Sequence, residues 1–551
     1  MVRLRLLLIT LVLASGLGSG CAWGPKSSPD LEAAPLLDGL GNHHYPISTE
    51  DPLAQRLFDQ GLTLAFAFNH QEAARSFRHA ARLDPDCAMA YWGVALVLGP
   101  NINAPMDAAD VPEAVEASER ALELADRVTP KERALIEAVA KRYAFPPPED
   151  RSSLDQAYAD AMRNCARAYP EDDEIATLTA EAIMDLSPWD YWDKRLEPHP
   201  ATLEILDLLE TVLGRTSSHP GANHLYIHAV EYGRPELGIG AAKRLETLLP
   251  GAGHMVHMPS HIYIRVGEYH EGSLANERAV LSDDAYVTQC RQQGIYPLAY
   301  VPHNHHFLWA FLTLEGRRER ALKAANELAK RVDPEMMRTP GLETLQHYWI
   351  TPLYAQVRFG EWEEILQAPA PPSDLEYPNG VWHYARGMAF VRTGRLDEAE
   401  SEWKALSEIV ERPLMSRLRI WEINTFGSVL QICAEALAGE LALARGDTEN
   451  AIRLLEEGVA HQDSLKYNEP PDFHYPVRQS LGAAYLAAGM PEKADAVYRA
   501  DLQEFPENGW SLFGLEQSLR AAGRDDDADG VHTRFERAWS WSDVELTSSR
   551  F

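Results

Sequence analysis

One residue pattern recurs along the chain and constrains its fold more than any other feature of the sequence. In the first copy a small residue, Gly61, is followed twelve residues later by Ala73, then by Phe77, Ala80 and Pro85. Small residues let two antiparallel helices approach closely, an aromatic side chain fills the gap between them, and a proline ends the second helix. The spacing returns at Gly387, Ala399 and Trp403, at Gly439, Ala451 and Leu455, at Gly482, Ala494, Tyr498 and Pro506, and from Trp510 and Gly514 to Ala528 and Phe535.

These copies resemble the tetratricopeptide repeat (TPR). The resemblance implies an all-α, TPR-type superhelical solenoid of antiparallel helix hairpins, whose concave groove is the usual binding surface. We predict N-terminal TPR-like repeats at 46–185, degenerate helical repeats at 186–370, C-terminal TPR repeats at 371–540 and a tail at 541–551. The sequence shows neither an alternating strand pattern nor a glycine-rich phosphate loop.

The N-terminus has the parts of an export signal. A short positive segment precedes an apolar segment at residues 6–17 that is too short to span a bilayer. The sequence GSGC ending at Cys21 resembles a bacterial lipoprotein lipobox, although Gly18 stands where that family usually has leucine. We therefore predict a signal peptide at 1–21 with Cys21 as the lipidation site. An ordinary cleaved signal with an incidental cysteine is the alternative.

The segment after the cysteine and the overall charge complete the predicted location. Residues 22–45 are rich in proline, glycine and serine and are predicted to be a disordered tether. The net charge of −31 argues against nucleic acid and anionic membranes as partners. We expect an exported protein of the bacterial cell envelope, at the outer membrane or its periplasmic face, which contacts the membrane only through a lipid anchor. The other four cysteines lie far apart and are predicted to be buried thiols.

Histidine is concentrated in one part of the chain. Ten of the 20 histidines fall within residues 219–306, and nine of them, all except His270, lie in three short motifs. Histidine binds metals and carries protons near neutral pH, so this concentration predicts a chemical site. His219 precedes a proline and is equally well explained as a turn residue. Surface or capping roles are predicted for four histidines outside the segment: His43, His44, His70 and His79.

Two pairs of these histidines have helical spacing. His224 and His228 are four residues apart, as are His257 and His261, so each pair lies on one helix face. The pairs are 33 residues apart, about one TPR length, which predicts that they stack side by side in the groove. We therefore expect these four side chains to converge within one coordination sphere. Glu231 shares their face and is predicted to be a ligand, an orienting residue or the general base, which makes it the candidate catalytic residue.

Four further histidines of the segment suggest a second ion or acid–base groups. They are His254, three residues before His257, and the group His303, His305 and His306. A histidine-rich site with one carboxylate suits a transition metal, namely zinc, copper or iron. HLYIH differs from the HExxH signature because Leu225 takes the place of the catalytic glutamate, which excludes that class of zinc protease. Trp189, Tyr191 and Trp192 are predicted either to stack on a ligand or to lie in the core.

The order of the motifs is similar to that of a family of bacterial exported TPR proteins. The motifs include GPNINAPMD, LSPWDYW, HPGANHLYIHAVE, GAGHMVHMPSHIYIRVG and PHNHHFLW, and the resemblance covers most of residues 46–540. It implies fold and export rather than a reaction. Two functions therefore stay open: a TPR protein with a metal ion in its groove, which includes a metal-dependent enzyme, or a scaffold that binds a protein or peptide and uses its histidines structurally.

Overall fold

The computed structural model describes residues 33–290 and 300–551, so the predicted signal peptide, Cys21 and part of the predicted tether lie outside it. Nearly all of its regular structure is helical. The helices are α1 (Pro52–Phe66), α2 (His70–Leu83), α3 (Ala88–Leu98), α4 (Val111–Leu124), α5 (Pro130–Val139), α6 (Ser152–Ala168), α7 (Asp173–Met184), α8 (Pro200–Arg215), α9 (Pro220–Val230), α10 (Pro235–Leu248), α11 (Gly253–His257), α12 (Pro259–Val266), α13 (Tyr269–Cys290), α14 (Val301–Leu314), α15 (Arg318–Arg331), α16 (Thr344–Phe359), α17 (Trp362–Gln367), α18 (Glu376–Arg392), α19 (Leu396–Val410), α20 (Phe426–Ala444), α21 (Thr448–Ser464), α22 (Val477–Ala487), α23 (Pro491–Glu504), α24 (Gly509–Ala521) and α25 (Asp525–Ala538).

Neighbouring helices pack as hairpins, which confirms the predicted all-α solenoid of TPR type. The small and aromatic positions of the repeat have the predicted role. A Cβ atom on Gly61 would lie 2.7 Å from the Phe77 ring, and one on Gly93 would lie 2.4 Å from it. Phe77 therefore fills the space between the first helices of two successive hairpins, and it needs a glycine on each side.

Two short strands, β1 (Arg419–Ile420) and β2 (Asn424–Thr425), form an antiparallel hairpin that the sequence did not predict. Strands of two residues are too short to show an alternating pattern. The turn of this hairpin carries Trp421, which lies beside the histidine-rich segment.

The core consists of two large groups of buried apolar side chains that meet on α14. This helix contributes Phe307 and Phe311 to the N-terminal group and Trp309 and Leu312 to the C-terminal group. Helix α20 alone among the described helices has the length and hydropathy of a membrane span, with a mean hydropathy of 1.4, but 78% of it is buried inside the fold. Core packing in the repeat stack accounts for its apolar composition.

Two irregular segments of the C-terminal half make long-range contacts. Residues 465–476, here the crossing loop, join α21 to α22 and reach helices far away in sequence. Tyr467 packs on Tyr232 after α9, and His474 stacks on Tyr354 of α16. The predicted tail also packs against the repeats, since Arg550 pairs with Glu440 of α20 at 2.9 Å.

Candidate metal centre

The first group of histidines is built on α9 and α11. The Nδ1 atom of His219 accepts a hydrogen bond from the backbone N–H of Ala222, which caps α9, and Pro220 occupies its first turn. One turn apart on this helix, His224 and His228 bring their Nε2 atoms within 3.0 Å. His254 of α11 adds a third Nε2 atom, 3.2 Å from that of His224. We call His224, His228 and His254 triad A.

The second group comes from α11, α12 and α14. The Nε2 atoms of His257 and His261 are 3.0 Å apart, and the ring of His303 lies 5.0 Å from the ring of His257. We call His257, His261 and His303 triad B. In each triad one nitrogen per ring lies within 4.8 Å of the other two.

The sequence predicted one continuous helix through His254, His257 and His261, whereas the structure has two. Pro259 has no N–H to continue the hydrogen-bond ladder, and α11 ends at His257. Met258 between the helices keeps a helical backbone conformation, with φ −50° and ψ −35°. The interruption is therefore small, and His257 and His261 still face the same side.

The four leading histidines do not surround a single point. In each pair, His224–His228 and His257–His261, the two Nε2 atoms lie 3.0 Å apart. A histidine from a neighbouring helix completes each group of three. The rings of His228 and His261 are the nearest approach between the pairs, with centroids 5.4 Å apart. The sequence pointed to one coordination sphere, and the structure offers two adjacent ones.

Glu231 lies between the triads and touches both. Its Oε2 atom is 3.2 Å from Nδ1 of His228 and 3.2 Å from Nδ1 of His261. Glu469 of the crossing loop places its own Oε2 atom 2.9 Å from the same nitrogen of His261. Burial raises the pKa of Glu469 to about 8, and burial together with the neighbouring Glu469 raises the pKa of Glu231. With His228 and His261, Glu231 also forms a group of possible metal ligands whose atoms lie within 4.8 Å of one another. These contacts therefore fit two of the roles that the sequence left open for Glu231, a metal ligand and an orienting residue.

Hydrogen bonds at Nδ1 fix the protonation of triad A. The Nδ1 atom of His224 lies 2.5 Å from the backbone carbonyl oxygen of Phe66, which can only accept, so this nitrogen carries the ring proton. When Glu231 is ionised, it can only accept, and His228 then donates to it from Nδ1. Both Nε2 atoms therefore present lone pairs, and these lone pairs face each other.

Triad B is fixed in the same way by side chains. Asn276 donates from its amide nitrogen to Ser260 and to the carbonyl of Gly272, so its Oδ1 atom is the acceptor for Nδ1 of His257 at 2.8 Å. When Glu469 is ionised, His261 donates to it from Nδ1, and the other carboxyl oxygen accepts from Tyr467. The Nε2 lone pairs of His257 and His261 consequently also point at each other.

Burial keeps these imidazoles neutral. It lowers the pKa of His224 and of His257 to about 4. The pKa values of the other four histidines of the triads are also well below the usual range, first because of burial and then because of neighbouring histidines. Neutral imidazole is the form that binds a metal ion.

Strained aromatic residues pack against both triads. Phe68, Trp189 and Trp421 have positive φ angles of 54°, 64° and 51°, a backbone region that non-glycine residues rarely adopt. The Phe68 ring centroid lies 4.4 Å from that of His224, and the Trp189 centroid lies 5.0 Å from that of His228. The Trp421 centroid lies 6.3 Å from that of His303. Trp189 therefore borders the site, whereas Tyr191 and Trp192 are buried in the core.

His305 and His306 belong to neither triad. Successive helical residues are turned by about 100° around the axis, so His305 leaves α14 on nearly the opposite side from His303. His306 is only about 60° away from His303, but its ring contacts α16 instead of triad B. His306 stacks on Trp309 and approaches His347, with both ring centroids 5.2 Å away. Burial lowers the pKa of His305 to about 4.

A third group of potential ligands comprises His43, Glu174 and His219. The Nε2 atom of His43 lies 3.0 Å from the Glu174 carboxylate. His43 is therefore a partly buried partner of Glu174, and the predicted surface or capping role is wrong for this residue. His219 accepts at Nδ1, which leaves a proton on Nε2 and no lone pair for a metal. Burial opposes ionisation of Glu174, but the two histidines outweigh it and lower its pKa to about 2. This group therefore ties residues 33–51 to α7 and α9.

Several residues of the site could not be predicted from local sequence patterns. Glu469 lies 208 positions from His261, and the Phe66 carbonyl lies 158 positions from His224. Neither has a helical or repeat spacing to its partner. The acidic, proline-rich sequence NEPPD in the crossing loop is the one local signal that could have suggested a functional loop.

No protein-family model and no curated protein matches the chain. Among solved structures it is similar to a human IFIT1 dimer with m7Gppp-AAAA, at 11% identity and a TM-score of 0.29, over 89% of this chain and 91% of that one. It is also similar to yeast Tom70 (12%, 0.31, 89% and 98%) and to the TPR domain of P58(IPK) (12%, 0.23, 86% and 98%). Likeness at this level carries no argument about function.

Proposed function

We propose that this protein binds two transition-metal ions, one in each histidine triad, inside a TPR-type solenoid that is exported and lipid-anchored. One observation carries the proposal. In His224–His228 and in His257–His261, the two Nε2 atoms lie 3.0 Å apart with their lone pairs directed at each other. Two lone pairs at this distance repel each other unless a cation lies between them. Zinc binds imidazole nitrogen at about 2.0–2.1 Å, which places two nitrogens of a tetrahedral site about 3.3 Å apart.

The atoms around the rings also support metal binding. Metal-bound imidazoles usually donate their other N–H to a carboxylate, a carbonyl or a similar acceptor, and His224, His228, His257 and His261 all do so. A cation would also lower the pKa of the buried Glu231 and Glu469, so metal uptake should release protons.

Three nitrogen ligands per ion leave one position of a tetrahedral site for water or a substrate, as in catalytic zinc sites. This favours a metal-dependent enzyme over a purely structural ion. Imidazole ligands suit zinc, copper and iron, so the donor set alone does not choose among them.

The alternative is a scaffold whose groove recruits a protein or peptide and whose histidines are structural. The fold is compatible with it. Against it, the crossing loop already contacts α12, α16 and α18 through Glu469, Phe473 and His474. A partner captured equally by metal-loaded and metal-free protein would favour the scaffold.

Elemental analysis of the purified full chain is the direct test. We expect about two ions per chain in the wild type. His224→Ala and His257→Ala should each remove one ion, and the double variant should remove both. His306→Ala is the matched control because it replaces a buried histidine outside the triads. Metal content that is the same in all four variants would exclude the proposal.

Export and anchoring need their own experiment because they rest on the sequence motif ending at Cys21. Cell fractionation should find the wild-type protein in the membrane fraction and Cys21→Ser in the soluble exported or precursor fraction. A Cys21→Ser protein that remains in the membrane fraction would contradict lipidation at this residue.

A further inference from the structure

A cleft lies beside the crossing loop, between α14 and α16, and its lining points to an anionic ligand. The walls are largely apolar and include Trp309, Pro470 and Phe473. Among the described residues that line it, Arg358 of α16 alone is charged at neutral pH. None of these lining residues is acidic, although the chain has 82 acidic and 51 basic residues. The local charge is thus opposite to that of the whole protein.

Arg358 is buried without a counter-ion. It is 4% exposed, and no carboxylate of the described residues lies within ion-pair distance of it. Its Nη2 atom donates to Gln479, its guanidinium lies 3.6 Å from the centre of the Trp510 ring, and its Nε atom has no hydrogen-bond partner. The carboxylate of Asp501 accepts a hydrogen bond from the same Gln479 side chain, and its charge acts on Arg358 without direct contact. A buried, unpaired cation is costly unless an anion joins it.

His474 of the crossing loop also lines the cleft. Its Nε2 atom lies 3.1 Å from the hydroxyl of Tyr384, and its ring has a further hydrogen bond with the backbone of Tyr354. The ring is therefore held by neighbouring groups, and Arg358 is the cationic side chain that the described lining of the cleft offers to an anion.

The size of the cleft limits the ligand. It has a volume of about 40 Å³, and about 10–15 Å³ of such a volume is enough for one water molecule. One small anionic group therefore fits this space, and anything attached to that group must lie towards the open side. We propose that the cleft binds the carboxylate of a small ligand through Arg358, with an apolar portion resting on Pro470 and Phe473.

This inference is independent of the metal triads and is tested on metal-free full-length protein. The probes are sodium acetate, a free acid, and N-acetyl-alanine, a mimic of a peptide C-terminus. Each is compared with sodium chloride at equal ionic strength. At a probe concentration well above Kd, wild type should gain about 2 °C in Tm. If acetate binds and N-acetyl-alanine does not, the ligand of the cleft is a small free acid. If both probes bind, the cleft also accepts the C-terminal carboxylate of a peptide.

Variants separate binding from folding. Arg358→Gln should abolish the shift, and Arg358→Lys, which keeps the charge but loses the planar fork, should weaken binding at least tenfold. Arg386→Gln is the control because Arg386 also stacks on a tryptophan but lies outside the cleft. Absence of a carboxylate-specific shift in wild type, or an undiminished shift in Arg358→Lys and Arg358→Gln, would overturn the proposal.

Discussion

Triads A and B have the same donors but different surroundings. The three histidines of triad A are at most 3% exposed, whereas His303 of triad B is partly exposed and neighbours Trp421, which is 37% exposed. Triad A is held by a backbone carbonyl and Glu231, while triad B depends on side chains, including Glu469 from the crossing loop. The difference suggests a structural ion in triad A and an accessible, reactive ion in triad B.

Removal of both ions should have the largest effect on stability. A ligand held at about a thousand times its Kd contributes about 4 kcal/mol, so chelation should lower the Tm by about 8 °C or more. If triad A is the more enclosed site, chelation should be biphasic, with the ion of triad B leaving first. Calorimetry and time-resolved elemental analysis measure the two effects. Equal rates of metal loss from the wild type, His224→Ala and His257→Ala would contradict the difference in enclosure between the two triads.

The pH dependence of the metal-free protein follows from the lowered histidine pKa values. His224 and His257 have folded pKa values of about 4, against about 6.5 when unfolded. The unfolded chain therefore binds more protons as the pH falls from 6.5 to 4, and stability declines across this window by up to about 3 kcal/mol per histidine. Denaturant titrations from pH 7 to pH 4.5 measure the decline. His224→Phe should reduce the slope, and an unchanged slope would contradict burial of a neutral ring.

Loss of an orienting carboxylate should distinguish the two triads. Glu469→Gln should weaken the ion of triad B by about 10–100-fold and leave that of triad A unchanged. Glu231→Gln should weaken both, because Glu231 touches a histidine of each triad. Competition with a chelator measures both affinities. Glu402→Gln is the control, since that carboxylate pairs with His383 outside the triads. A uniform effect of Glu469→Gln would show that the triads are not separate sites.

The smallest expected effect concerns access. Trp421→Ala should increase the rate of metal loss from triad B about twofold to tenfold without changing the number of ions bound, because the ring contacts His303 and does not supply a ligand atom. Trp189→Ala, beside His228, should do the same for triad A if enclosure controls exchange. Stopped-flow chelation compares the rates. Faster loss from triad A in Trp421→Ala would contradict the separation of the sites.

The sequence predicted the parts of the site that depend on local periodicity. Four-residue spacing places His224 on His228 and His257 on His261, and the structure contains both contacts. The sequence could not show that His303, rather than His305 or His306, joins a triad. The direction of each side chain depends on where α14 begins and on which helices pack against it. The 33-residue offset predicted adjacent pairs, but each pair took its third histidine from another helix.

What the sequence determined by itself is the repeating hairpin, through Gly61, Phe77 and the later copies, because small and aromatic residues at a fixed spacing act between neighbouring helices. Only the tertiary structure decided how the histidines are grouped and protonated. The Phe66 carbonyl and Glu469 reach their histidines across 158 and 208 residues. Contacts at such separations arise from the closure of the superhelix and the path of the crossing loop, and no local pattern encodes them.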